Sequence, residues 1–325
     1  MFLQSKQLCL LNLMAGQLLL LWPGMLHSFH ISPSRVFRIP RSSNAVLECT
    51  PRRSAAVMCG NSTPYSASSV DSGVLAKTKR DSTWSNVGGE DLIQVSGHVW
   101  CAERPFVWNG IDVGGRMAVV KLSDDTLWVH SPVNLDEGLR EALDKLGPVR
   151  HIVSPNYEHV KYARQWVEAF PSAKSYACPG LKEREPEVGF TRSVGDGPDD
   201  DSPPEWGGEI QALLMDCETN PFTGKPFFNE VVFFHRPSKA FITSDLFWNY
   251  PRKVPLGTRV WKWGMDKVYL PFFKSFMVTD KRVFEDKVNH ILAWGIDIIV
   301  PCHGDVVRKG ASEALRETLL GKGPA

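Results

Sequence analysis

The sequence predicts an α/β sandwich, two sheets face to face and covered by helices. Three observations point there. Short β-rich runs come as hairpin pairs in both halves of the chain, helix-patterned segments lie between them, and several apolar runs end abruptly in polar groups. A doubly wound parallel sheet is the second choice, because its strands rarely come as hairpins. The folded domain is expected over residues 91–325.

Residues 117–122 (MAVVKL) and 126–130 (TLWVH) flank the turn Ser123-Asp124-Asp125 and make the first hairpin. Asn134 caps a helix through LDEGLREALDKLG, with Leu135, Leu139, Leu143 and Leu146 on one face and Gly147-Pro148 as the stop. Residues 151–154 (HIVS) read as a short buried strand, 161–170 as a helix ended by Pro171, and 175–178 as the start of another strand. The acidic, proline-containing stretch 196–205 reads as a solvated loop. Strands follow at 210–215, 231–235 and 240–243, the last two joined by the turn Arg236-Pro237-Ser238-Lys239. A helix over 281–294, a buried strand over 297–300 and a final helix over 311–320 close the chain.

The first ninety residues read differently. Residues 8–22 (LCLLNLMAGQLLLLW) form an apolar run behind Lys6, broken by Pro23-Gly24. Fifteen residues are short for a bilayer span and suit the core of a signal peptide, with a single-pass anchor as the alternative. Residues 28–57 are rich in Ser and Arg with Glu48 as their only acid, the composition of a transit peptide. The division is 1–27 signal peptide-like, 28–60 transit peptide-like and 61–90 a Ser-rich linker. This arrangement resembles the bipartite presequence of algae with secondary plastids, and Ser28-Phe29 fits the cleavage site of such a segment. The expected location is therefore a plastid, with ordinary secretion as the competitor.

Charge follows the same boundary. Residues 1–70 hold six basic residues and one acid, net +5, and the remainder holds 31 basic against 35 acidic, net −4. A body of that sign does not advertise nucleic-acid binding. The seven cysteines are scattered without a CxxC pair, which argues against a disulfide framework or a thiolate zinc site.

Three strand-like runs end in groups able to hold a metal ion. HIVS leads into Pro155-Asn156-Tyr157-Glu158-His159, AFIT into Ser244-Asp245, and DIIV into Pro301-Cys302-His303-Gly304. Polar residues just past buried strands are where α/β folds build sites. Glu158, His159, Asp245 and His303 supply two imidazoles and two carboxylates, a set suited to zinc, iron or manganese. The bland alternative for each histidine is a hydrogen-bonded structural residue. His130 and His235 read as packing residues, and Cys302 as a small buried side chain before a soft ligand.

The order acid-His, Asp, His-Gly after successive strands resembles the metallo-β-lactamase superfamily. LWVHSPV, HIVSPNYEH, VVFFHRPSKAFITSDL and IIVPCHGDVVRKG resemble an uncharacterised branch of it, a domain of unknown function found in bacteria, algae and plants. The resemblance covers about 92–321 and implies a four-layer αββα sandwich. In the superfamily motif HxHxDH, Ser154 and Asn156 stand at the first two His positions, Glu158 at the Asp, and His159 matches. The next His falls near Lys225-Pro226-Phe227-Phe228, where none occurs. The first metal site is thus broken, and the second keeps Glu158, His159, Asp245 and His303.

The resemblance implies at most one divalent ion, zinc, iron or manganese, with no metal as the other outcome. One reading is a mononuclear metal-dependent hydrolase acting on an unidentified small molecule, with Asp245 as general base. Four protein ligands would close a tetrahedral site and obstruct it. The other is a pseudoenzyme, a binding or assembly module in the plastid. Iron-based redox chemistry is a third, and needs open coordination positions. The aromatic-rich stretch 246–280 reads as a lid, a partner- or membrane-touching surface, or a core-packing excursion. Stable membrane anchoring is not expected once the presequence is removed.

Overall fold

The computed structural model describes residues 83–199 and 201–321. The stretches 1–27 and 28–60, expected to be a presequence, and most of the stretch 61–90, expected to be a linker, lie outside the described residues. Within 83–90, the linker's end is packed: Trp84 Nε1 donates to the Asp112 carbonyl at 3.2 Å, and Asn86 Nδ2 to the Glu90 carbonyl at 2.8 Å.

The strands are β1 (Ile93–Gln94), β2 (Val99–Arg104), β3 (Val107–Trp108), β4 (Ile111–Asp112), β5 (Gly115–Lys121), β6 (Leu127–His130), β7 (Val149–Ser154), β8 (Lys174–Ala177), β9 (Arg192–Ser193), β10 (Ile210–Leu214), β11 (Val231–His235), β12 (Ala240–Thr243) and β13 (Ile298–Pro301). One seven-stranded sheet runs β1-β2-β5-β6-β7-β8-β9 and a four-stranded sheet runs β10-β11-β12-β13, with β3-β4 as a separate hairpin. Pairing is antiparallel from β1 to β6 and parallel from β6 to β9; in the second sheet only β12–β13 is parallel.

The pleat divides the larger sheet's side chains between two cores. Ala118 and Val120 of β5 face the interior shared with Phe233, Ile242 and Val300 of the second sheet. Met117 and Val119 face the opposite way, onto Leu139, Leu143 and Trp166. Those belong to α1 (Glu137–Leu146) and α2 (Ala163–Ala169), which cover the outer face. On the far side Phe234 and Phe241 meet Trp294 at the end of helix Lys281–Ala293. Helix, sheet, sheet, helix is the expected α/β sandwich.

Three local details differ from expectation. The cap of α1 is Asp136, not Asn134: its backbone is extended and its Oδ1 accepts Leu139 N–H at 3.0 Å. The acidic loop is anchored, since Glu205 accepts from Lys174 Nζ and Tyr176 Oη, both at 2.8 Å. The aromatic stretch forms a helical run, starting at α4 (Leu256–Gly264) after the four-residue α3 (Leu181–Arg184). Beyond α4 it contains two π turns, in which Leu270 N–H reaches Met265 O and Val278 N–H reaches Phe273 O. Pro271 between them has no N–H to give, and proline commonly disturbs the i→i−4 ladder. The chain ends with α5 (Lys281–Ala293) and α6 (Ala311–Leu319).

Candidate metal centre

The site forms where β7, β12 and β13 end. Because β12 and β13 run parallel with Thr243 opposite Pro301, the residues two further along each strand, Asp245 and His303, emerge at the same level. His159 arrives from the turn after β7. That turn is made by Asn156, whose Oδ1 accepts Glu158 N–H at 3.0 Å and His159 N–H at 2.9 Å.

One donor atom each from His159, Asp245 and His303 lies within 4.8 Å of the others. His159 Nε2 is 3.2 Å from Asp245 Oδ2, and His303 Nε2 is 3.7 Å from Asp245 Oδ1. Donors bound to one tetrahedral ion at about 2.0–2.2 Å stand roughly 3.4 Å apart, so donors within 4.8 Å of one another would have to draw together by up to about 1.4 Å to share one ion. All three side chains are recessed without being sealed off. Glu158, the fourth residue suggested by the sequence, is outside this cluster. It is the immediate neighbour of His159 in the turn, and its backbone N–H is bound by the Asn156 side chain.

The outer partners orient the donors. His303 Nδ1 lies 2.7 Å from the Gly114 carbonyl, which can only accept, so the proton sits on Nδ1 and the Nε2 lone pair faces Asp245. Burial, with His159 nearby, holds the His303 pKa below its ordinary value and keeps the ring neutral. Burial also acts against charge on His159, but the Asp245 carboxylate overrides it and raises its pKa well above the usual range. Burial likewise opposes ionisation of Asp245, and the two histidines together with Asn156 hold its carboxyl below the usual range. Without an ion, His159 and Asp245 therefore form an ion pair, buttressed by the Ser131 hydroxyl 2.6 Å from His159 Nδ1.

Asn156, which the resemblance sets at a histidine position of the motif, donates from Nδ2 to Asp245 Oδ2 at 2.7 Å and to Ser244 Oγ at 3.0 Å. Ser154, at the other, is buried, and its hydroxyl has no partner among the described residues. The turn 227–229 has backbone N–H groups bound to buried Glu218. His130 packs against both Trp128 and Phe233, with Cys302 Sγ 3.9 Å from its Nδ1. His235 bonds Ser238 Oγ within its hairpin.

Sequence reasoning missed Glu230. Buried at the head of β11, it accepts Thr243 Oγ1 at 2.6 Å and the N–H groups of Ser244, Asp245 and Leu246 at 2.7–2.8 Å. This carboxylate shapes the loop that presents Asp245. An acid directly before the apolar run VVFFH was the available signal. Beside Asp245 opens a mostly apolar pocket walled by Met215, Phe228, Leu246, Trp248, Tyr269 and Phe273.

Solved structures share the architecture at low identity. The metal-soaked Flv1 flavodiiron core from Synechocystis sp. PCC6803 aligns with TM-score 0.50 at 11% identity, over 71% of this chain and 60% of that one. A metallo-β-lactamase from Pontibacter korlensis gives 0.47 at 13%, over 71% and 97%. The DIM-1 metallo-β-lactamase exposed to ceftazidime gives 0.49 at 15%, over 70% and 94%. These likenesses concern the fold alone. No curated protein matches the chain. The family model described as domain of unknown function DUF4336 matches residues 96–261, half of the chain, including His159 and Asp245 but not His303. The chain belongs to that family of unknown function, carried on a metallo-β-lactamase-like fold.

Proposed function

We propose that this chain is a mononuclear metal-dependent hydrolase whose ion is held by His159, Asp245 and His303. The observation that carries the reading is the convergence of those three donors from three separate strand ends within 4.8 Å. Two imidazoles and one carboxylate suit zinc, iron or manganese and leave coordination positions open. That removes the objection raised by a four-ligand set. A divalent ion there would polarise a carbonyl or phosphoryl oxygen and acidify bound water.

The protein's own part is orientation. Gly114 fixes the His303 ring, Ser131 holds His159, and Asn156 with Glu230 holds Asp245. Asp245 is therefore a ligand more than a base, since both of its oxygens face partners in the site. The adjoining recess is walled mainly by apolar side chains and holds little more than a water-sized group, so a substrate would meet the ion from its open side. Delivery to a secondary plastid, read from residues 1–60, is part of the same proposal.

One observation favours the second reading, a binding module without metal: the Asn156 amide and His159 together already satisfy Asp245 Oδ2. Elemental analysis after reconstitution with zinc, iron(II) or manganese separates the two. The proposal expects one ion per chain, sharply reduced in Asp245→Asn while the fold survives. Two ions per chain would refute the single site, and no ion under any condition would leave the binding module.

A further inference from the structure

The 246–280 stretch has two faces of different character. Inward, Phe247, Tyr250, Tyr269, Phe272 and Phe273 are buried, and Tyr269 and Phe273 help wall the pocket beside Asp245. Outward, Leu256, Val260 and Trp263 are 66%, 53% and 61% exposed. Their spacing of four and three residues puts them in one stripe along α4. Phe276, further along the same run, is 50% exposed.

The helix cannot roll to hide that stripe. Thr258 on its other side is buried and donates from Oγ1 to the Asp112 carbonyl at 2.8 Å, and Trp261 Nε1 donates to Tyr250 Oη at 3.1 Å. Those bonds fix which face looks out.

Charge identifies what the stripe meets. Residues 252–267 contain Arg252, Lys253, Arg259, Lys262 and Lys267 against the single acid Asp266, net +4, on a body of residues 71–325 whose net charge is −4. Asp266 is engaged by Lys262 and by Trp248 Nε1. Arg252, Lys253, Arg259 and Lys267 are exposed. An apolar stripe containing an exposed tryptophan and bordered by cations matches the boundary between acyl chains and anionic headgroups.

We propose that α4 is a reversible docking face for an anionic phospholipid bilayer. Leu256, Val260 and Trp263 enter the headgroup boundary, and Arg252, Lys253 and Arg259 meet the lipid charges. A nine-residue helix is far too short to span a membrane, so the contact is peripheral.

The test uses the full chain with vesicles whose phosphatidylcholine carries brominated acyl chains, with and without phosphatidylglycerol. Bromine quenches tryptophan emission only at short range, so the difference between wild type and Trp263→Phe isolates this face from any contact made by Trp22. The expected result is quenching in phosphatidylglycerol vesicles that Trp263→Phe loses. Arg252→Gln with Arg259→Gln shifts its half-point to about 30-fold more lipid, at about 1 kcal/mol per cation. Equal quenching in wild type and Trp263→Phe overturns the proposal, as does equal quenching in vesicles lacking anionic lipid. Sedimentation showing a dimer in wild type and a monomer in Trp263→Glu would instead assign the face to a second copy of the chain and also overturn it.

Discussion

Asn156 ties the site together at the scale of one residue. Its carbonyl oxygen closes the turn that carries His159, and its amide nitrogen holds Asp245. Asn156→Ala removes both at once and leaves buried donors short of partners. We expect a loss of about 1–3 kcal/mol in stability and a 10- to 100-fold weaker hold on a reconstituted ion. Urea unfolding and competition with a chelating dye measure the two effects. An ion held as tightly as in wild type would mean that Asn156 does not position the ligands. From sequence this residue is legible only as a lost histidine, because its role depends on Asp245, 89 positions away.

At the scale of elements, the site is a product of strand register and of the loops that follow. Parallel β12 and β13 bring Asp245 and His303 level, and Gly304 lets the second loop turn. Gly304 has φ +85°, and a Cβ there would sit 2.2 Å from the carbonyl carbon and oxygen of Asn249. Asn249 N–H in turn bonds the His303 carbonyl at 3.0 Å. Gly304→Ala should therefore cost about 2–4 kcal/mol, from left-handed backbone strain and the clash, and displace His303. A urea midpoint equal to that of wild type would contradict this account. Behind the same loop, Arg116 pairs with buried Glu103 and donates to the Pro301 carbonyl at 2.8 Å. The first sheet thereby grips the strand that delivers His303.

For the whole molecule, two buried histidines remote from the site set a pH dependence. Burial pushes His151 and His235 down to about 4, and Glu209 does not offset it at His235. In the unfolded chain both titrate near 6.5. Between about pH 4 and 6.5 these two sites thus bind up to two more protons in the unfolded state than in the folded one. Their stabilisation is complete above pH 6.5 and is lost as the pH falls towards 4, at up to about 1.4 kcal/mol per pH unit for each. Urea midpoints measured from pH 7 to 4.5 should fall accordingly, and His235→Gln should flatten the slope. A slope unchanged in that variant would exclude His235 as a contributor. The N-terminal proposal belongs to this scale too: the protein isolated from cells should lack its first ~28 residues or more, and a mass including intact Met1 would remove the presequence reading.

The sequence by itself determined the layered α/β fold, the positions of most strands and helices, and the three strand ends where His159, Asp245 and His303 stand. Those features follow from local periodicity, turn chemistry and the resemblance carried by contiguous motifs. What only the tertiary structure decided is which polar groups meet. Glu158 lies beside His159 in sequence yet outside the donor cluster, whereas Glu230 and Asn156, which carry no ligand signature, hold Asp245 from two sides. The same holds for the aromatic stretch 246–280, whose inner residues wall a pocket while Leu256, Val260 and Trp263 face outward. The physical reason is common to both. Hydrogen bonds and burial are set by contacts between distant segments, and composition records which residues are available without recording which face each will turn to the interior.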